Sequence, residues 1–400
     1  MKVRENTKEE QRSIICFAGC DWWYHNRGLF CPQIMTRLTG RYRVLFVNSL
    51  GMRVLSLGKD SKPFKRVIRK LKSISRFIRK VEAGMYVFSP LSLPFLGNAL
   101  GRKLNTFLVW AQVELVMTFL GFRNPVFYIG CPPALKVVRK LGKGYLIYER
   151  TDLFGEMPGV DKSYITSLDQ ELTRSANLVL CVNKAVWQQS LFANQNSLLL
   201  GHGVDFERFA NAEEPNHIPQ DIAAITKPIV GFFGDITEDV CDFSLLERIA
   251  NNLPDVSIVL IGPISSDVKK LRRHNNIFFL GQKPYEEIPH YGKSFDVAIM
   301  PWKRNRWIEF CNPVKTKEYL ALGKPIVSTD YPELKPYHDI VYPASNDEEF
   351  VEGIRRALKE DGIELKRKRQ ERVKDETWDS KAQQIIDFVE NDLKQRNGTR

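Results

Sequence analysis

The 400-residue sequence lacks the short motifs that mark the commonest nucleotide and metal enzymes. No GxGxxG opens a helix, no GxxxxGK[ST] is present, and neither DxD, HExxH nor a paired CxxC occurs. Dehydrogenase, P-loop NTPase and zinc-site chemistries thereby lose their usual support. A secretory leader is not expected: MKVRENTKEEQR is charged, and the first apolar run, SIICFAGC, meets Asp21 before it is long enough for a signal h-region. The 7 cysteines are an odd number scattered mostly through apolar runs, which suits reduced thiols and a cytoplasmic location. Pro 21 and Gly 25 are ordinary for this length and exclude collagen-like or low-complexity sequence. With no short-period repeat, solenoids and propellers are excluded as well.

Acidic residues are scarce in one half only. Residues 1–200 carry 30 Lys and Arg against 13 Asp and Glu, whereas residues 201–400 carry 29 against 34. An anionic partner is therefore expected to meet the first half alone.

Short β-branched and aromatic runs alternate with helical stretches throughout, the signature of βα units in parallel sheets. In the first half these are SIICFAG, YRVLFVNS, GMYVFS, PVFYIG, YLIYER, NLVLCVN and SLLLGHG. After a polar stretch beyond Asp205 come PIVGFFGD, DVSIVLIGP, NIFFLG, DVAIMPW, KPIVSTD and IVYPAS. The pattern predicts an α/β chain of two doubly wound domains, 1–205 and 206–376, with a helix over 377–400 packing back toward the first. Ligands of such sheets bind at the carboxyl ends of the strands, so the two domains are expected to face one cleft.

The most informative stretch is MPWKRNRWIEFCNPVKTKEYLALGKPIVST, from Met300. Asn312 is placed to cap a helix whose first residue is Pro313, and Gly323 with Pro325 to end it. The free N–H groups near Val314 and Lys315, with the lysine itself, suit a diphosphate, and Glu318 on the same face can accept hydrogen bonds from a ribose diol. Lys303 and Arg304, just after the preceding strand, add positive charge. The bland alternative is a capped helix with a solvated charged face.

This stretch resembles the donor-binding signature of nucleotide-sugar glycosyltransferases of the GT-B fold, akin to glycosyltransferase family 4. HGVDFERF from His202 and VGFFGDI from Val230 resemble the segment before the interdomain linker and the first strand and glycine turn of the second domain in that family. The resemblance implies a metal-independent hexosyltransferase of surface polysaccharide synthesis. Its donor is a nucleotide diphosphate sugar, UDP-sugar favoured, and no other cofactor is implied. Glu318 would bind the ribose, Lys315 the diphosphate, and Gly234 would let the backbone approach it. Phe310 stands eight residues before Glu318, with Glu309 one place off, so the two-glutamate pattern of retaining members is broken. That break leaves retaining and inverting chemistry both open and favours a rival reading, a binding protein of the same fold that scaffolds an assembly complex.

An inverting enzyme needs a general base from the first domain, and Asp152, just after YLIYER, is the candidate; its bland role is a cap or a partner for Arg150. The loop CDWWYHNRG offers Asp21, Trp23, His25 and Arg27 for a lipid-linked or glycan acceptor, aromatic faces for sugar rings and Arg27 for phosphate. Gly203 is expected to need positive φ. The run from Lys62 to Val81 predicts one amphipathic helix, its apolar residues within about 140° and its basic side suited to an anionic membrane surface, where each Lys or Arg contributes roughly 1 kcal/mol. These features place the protein peripherally at the inner face of the cell membrane. Leu104 to Phe122 is nearly all apolar, but Gln112 and Glu114 at its centre favour a buried or monotopic helix over a spanning one. LKRKRQER from Leu365 reads as a solvated helix face, without the aromatic stacking groups of a nucleic-acid site.

Overall fold

The computed structural model describes residues 12–398 except 26, 53–62, 94–97, 212–217 and 361, with the backbone alone for 63–67 and 397–398. The chain divides into two units. One runs to Cys181 and takes in Ala185–Leu199 and Ile385–Arg400; the other comprises Val182–Lys184 and Leu200–Gln384.

The first unit is built on strands β1 (Ser13–Phe17), β2 (Arg43–Val47), β3 (Ile78–Glu82), β4 (Met85–Phe88), β5 (Val126–Ile129), β6 (Tyr145–Arg150), β7 (Leu178–Cys181) and β8 (Ser197–Leu199). Their order across the sheet is β3-β4-β2-β1-β5-β6-β7-β8. All pairings are parallel except β3 with β4. Every residue of β1, β5 and β7 is buried. Such strands are covered on both faces, so their sequences are unbroken apolar runs rather than alternating ones.

The helix expected over 62–81 is corrected. Lys62 lies outside the described residues, the helix spans Pro63–Ile74, and Ile78–Glu82 is an edge strand antiparallel to β4. Ile78 and Val81 stand three apart, a spacing that a helix and this irregular strand share. Tertiary pairing decides between them: Gly84 at φ 78 allows the tight return to β4, and Phe77 packs edge-on against Phe88 at 5.4 Å. The long apolar helix spans Ala99–Leu120, capped by the Asn98 side chain on the Gly101 N–H and closed by Gly121 in the left-handed region at φ 66. Among the described residues, no helix is long and apolar enough to cross a membrane.

The second unit is a parallel six-stranded sheet of β9 (Ile229–Phe233), β10 (Ser257–Ile261), β11 (Ile277–Gly281), β12 (Val297–Met300), β13 (Ile326–Thr329) and β14 (Tyr342–Ala344). The order is β11-β10-β9-β12-β13-β14. The strand order reverses beside β9, between β10 and β12, where a doubly wound sheet opens a crevice at the carboxyl ends. Two buried apolar clusters cover this sheet, one holding Tyr319, Leu320 and Phe295, the other Leu245, Ile249 and Phe350.

Two further expectations change. Arg369, within the run taken for a solvated face, is fully buried and donates to Glu360 at 2.5 and 2.6 Å and to the Ile340 carbonyl at 2.9 Å. Its planar fork stitches the Ile363–Val373 helix to the sheet edge. Positive φ falls on Gly201 rather than Gly203. Gly203 is required for space, since a Cβ there would lie 2.7 Å from the backbone of Trp378, itself fully buried.

Candidate functional site

In the second unit, the loops after β9, β10 and β12 converge on the helix Val314–Ala321. Gly234 follows β9 at φ 151, and its N–H donates to the Ile261 carbonyl at 2.8 Å. Gly262 follows β10 at φ 145, so close that a Cβ would fall inside the Gly234 carbonyl oxygen. Both conformations strain any residue with a side chain. The Lys315 ammonium lies over this turn: a Cβ on Gly234 would stand 3.0 Å from its Nζ. Two rings flank it, Phe232 with its centroid at 5.8 Å and Trp302 at 5.9 Å. These distances are within cation–π range. Among the described residues Lys315 makes no ion pair, so its charge is held by rings and not spent on a carboxylate.

Asn312 does not cap the helix. Its amide donates to the Val182 carbonyl at 2.6 Å, and Pro313 takes the N-cap position with extended backbone and no side-chain bond. The reason is local: Pro313 at ψ 128 turns the chain before the helix begins, which leaves Asn312 outside capping reach. The N–H groups of Val314 and Lys315 belong to the first turn, where a helix offers no internal acceptor. The helix is seated by Tyr319, whose hydroxyl accepts from the Phe233 N–H at 3.1 Å, and by Thr316, 2.7 Å from the Tyr331 hydroxyl. Lys317 is buried and committed, donating to the His202 carbonyl at 2.5 Å and paired with Glu376. Burial holds the His202 imidazole down at about 3, with Lys317 and Lys381 adding repulsion.

Glu318 is buried one turn after Lys315. Burial pushes its carboxyl up to about 7, and Asp205 adds to the rise. Lys315 and the nearby Tyr285 hydroxyl pull the other way. Lys303 is half-buried, with its N–H bound to the Val240 carbonyl at 2.8 Å. Arg304 is exposed and donates to the Ala344 carbonyl at 3.1 Å, at the end of β14. The structure thus brings Gly234, Lys315 and Glu318 together, while Asn312 and Arg304 are spent on backbone carbonyls.

In the first unit the loop after β1 is stapled down. The Asp21 carboxylate accepts from the Trp23 N–H at 3.0 Å and from the Ser73 hydroxyl at 2.7 Å. Ser73, Asn48 and Ser89 continue the network. Trp23 donates to Ser89 at 3.2 Å and carries Arg76 over its ring at 4.5 Å. His25 and Arg27 are exposed. Asp152 is half-buried just beyond β6. The neighbouring Arg150 does not need it, being paired with Asp169 at 2.7 Å.

Sequence reasoning missed Glu149, buried near the end of β6. Burial pushes it up to about 7, against the Tyr128 hydroxyl and the Cys31 thiol, and Asp152 raises it further. A signal existed, since a carboxylate inside the apolar run YLIYER has no solvent to face. Among the described residues, no three His, Cys, Asp or Glu converge to hold a metal ion.

Residues 227–360 match the family described as glycosyl transferases group 1. The putative teichuronic acid biosynthesis glycosyltransferase TuaH of Bacillus subtilis is 27% identical over 243 residues, a match covering 57% of this chain and 60% of that protein. Sucrose-phosphate synthase from Thermosynechococcus elongatus superposes with a TM-score of 0.67 at 14% identity, covering 95% of this chain and 99% of that one. Anabaena HepE, solved in complex with UDP and glucose, superposes with a TM-score of 0.66 at 15% identity, covering 95% and 99%. The chain therefore has the GT-B fold, and its residues 227–360 match the glycosyl transferases group 1 family.

Proposed function

We propose that the protein transfers a sugar from a nucleotide diphosphate sugar, a UDP-sugar in the first instance, to a lipid-linked or polysaccharide acceptor in cell-surface polysaccharide synthesis. The observation that carries this reading is Lys315, poised over the Gly234 turn at a helix N-terminus, with no ion pair among the described residues and with Glu318 one turn on. The first-turn N–H groups and the ammonium can take up negative charge as it develops on the departing diphosphate. The Glu318 carboxylate can accept from a ribose diol. HepE, of the same fold, was solved with UDP, and TuaH is named for teichuronic acid biosynthesis, which supports the choice of donor and pathway class.

In this reading the second unit is the donor domain and the first the acceptor domain, with the last helix, Trp378–Gly398, shared between them. Asp152 acts as general base toward the acceptor hydroxyl, and the reaction needs no metal. Trp23, His25 and Arg27 contact the acceptor, with Asp21 fixing their loop. Lys303 adds to the positive field at the diphosphate. The protein works in the cytoplasm, held peripherally at the inner membrane face by the basic segment within Lys62 to Val81.

The buried carboxyl supplies a test. At pH 5.5 Glu318 is largely protonated and is a poorer acceptor; by pH 8 it is ionised. Affinity for UDP-glucose, whose diphosphate does not titrate in this range, is expected to rise about tenfold over that interval, and Glu318→Gln to flatten the profile. Stability runs the opposite way. The folded state keeps the protons on Glu149 and Glu318 up to about 7, whereas the unfolded chain releases them near the ordinary value of 4.5. Their contribution is full below that value and is lost as pH rises through 7. Calorimetric titration across pH checks the first effect; a flat wild-type profile would remove Glu318 from the ribose site.

A further inference from the structure

We propose that the outer face of the Ala99–Leu120 helix docks on an anionic bilayer, its apolar side chains entering the headgroup boundary while the inner face stays packed on the first unit. The proposal rests in part on the function argued above, because a lipid-linked acceptor would be met at a membrane, but its observations are separate ones.

The inner face of this helix is buried through Val109, Val113, Val116 and Met117. The opposite side is largely apolar, with Glu114 and Lys103 exposed at its margin, and it faces solvent: Leu100 is 77% exposed, Leu104 55%, Phe107 54%, Leu115 66% and Phe119 82%. Their spacing of four, three, eight and four residues keeps them on one side over a length of about 28 Å. An uncovered apolar strip of this length on a soluble surface marks a binding face.

Charge identifies the occupant. From Lys62 to Arg123 the chain carries 12 Lys and Arg against 2 Asp and Glu. Lys103 near the start of the helix and Arg123 just past its end are exposed, and Lys140 sits over the Trp110 ring at 5.5 Å. A second copy of the same face would bring like charge against like charge, which opposes self-association. An anionic lipid surface attracts this charge and accepts the apolar strip, the two signals that stable peripheral binding requires. The helix lies on the membrane and does not cross it, since its other face is committed to the protein core.

The test uses the full chain with vesicles of phosphatidylcholine, with and without phosphatidylglycerol. The wild type is expected to sediment with the anionic vesicles. The exposed-site variants Phe107→Ser and Phe119→Ser, combined, are expected to weaken this about tenfold or more. UDP binding, followed in the same samples, should stay unchanged, and a circular-dichroism melt matching that of the wild type shows that the first unit, which carries the substitutions, is folded. Three results would overturn the proposal: vesicle binding equal in wild type and variant, no vesicle binding by the wild type, or a dimer in light scattering that the two substitutions split. Loss of UDP binding by the wild type would instead strike the proposed donor site and leave the vesicle result standing on its own.

Discussion

Asp169→Ala is expected to destabilise the first unit by about 3–5 kcal/mol, the cost of leaving one member of a buried ion pair alone. Arg150 Nε and Nη2 donate to the two Asp169 oxygens at 2.8 and 2.7 Å, and the Tyr148 hydroxyl donates to the same carboxylate at 2.6 Å. Only 8% and 7% of the two charged side chains reach solvent. Without the carboxylate, the guanidinium keeps the Ser190 hydroxyl at 2.9 Å and the Val186 carbonyl, neither of which carries charge. Replacing both partners, as Arg150→Met with Asp169→Leu, should recover much of the loss, because no buried charge remains. Urea unfolding of the single and double variants measures this. A single variant within about 0.5 kcal/mol of wild type would mean that the pair is not an organising element.

The second large effect concerns the paired glycine turns. Gly262→Ala is expected to cost about 2–4 kcal/mol, combining a left-side φ with a Cβ driven into the Gly234 carbonyl. Because that carbonyl belongs to the turn beneath Lys315, nucleotide affinity should fall along with stability. Gly281→Ala is the matched control: its φ is 72, but nothing lies within 4 Å of the added Cβ. It should cost about 1 kcal/mol, the strain of the backbone alone. Equal losses at the two positions would show that backbone conformation matters and the close approach does not.

How much was legible follows from where each signal is stored. Strands buried on both faces announce themselves as apolar runs, and all thirteen runs read from the sequence are strands in the structure. β3 was illegible because Ile78 and Val81 suit a helix as well, and the pairing that decides between them is contributed by β4. Arg369 shows the same limit from the other side. A basic run looks solvated until Glu360 and the Ile340 carbonyl, brought close by the fold, enclose one of its members.

The candidate site was partly legible for a related reason. Lys315 and Glu318 belong to one helical turn, so local periodicity places them on a shared face. The Gly234 turn is a short-range feature of β9 and was visible too. Asn312 suits a cap in the sequence, but the extended backbone at Pro313 moves the N-cap one residue on, and the freed amide donates to the Val182 carbonyl, 130 positions away. Asp152 raised the question of an Arg150 partner, and the answer was Asp169, which only the packing of the Lys162–Ser175 helix against β6 supplies.

The central claim, a nucleotide diphosphate site at the start of the Val314–Ala321 helix, is tested most directly by calorimetry. UDP, GDP, dTDP and ADP are titrated into the wild type, Lys315→Ala and Glu318→Ala. The account predicts micromolar binding of UDP, weakened about tenfold or more by each substitution, with thermal stability reduced little by Lys315→Ala because that ammonium makes no ion pair among the described residues. Binding of none of the four nucleotides, or UDP affinity equal in all three proteins, would contradict it and favour a GT-B protein that scaffolds others without using this helix for a donor.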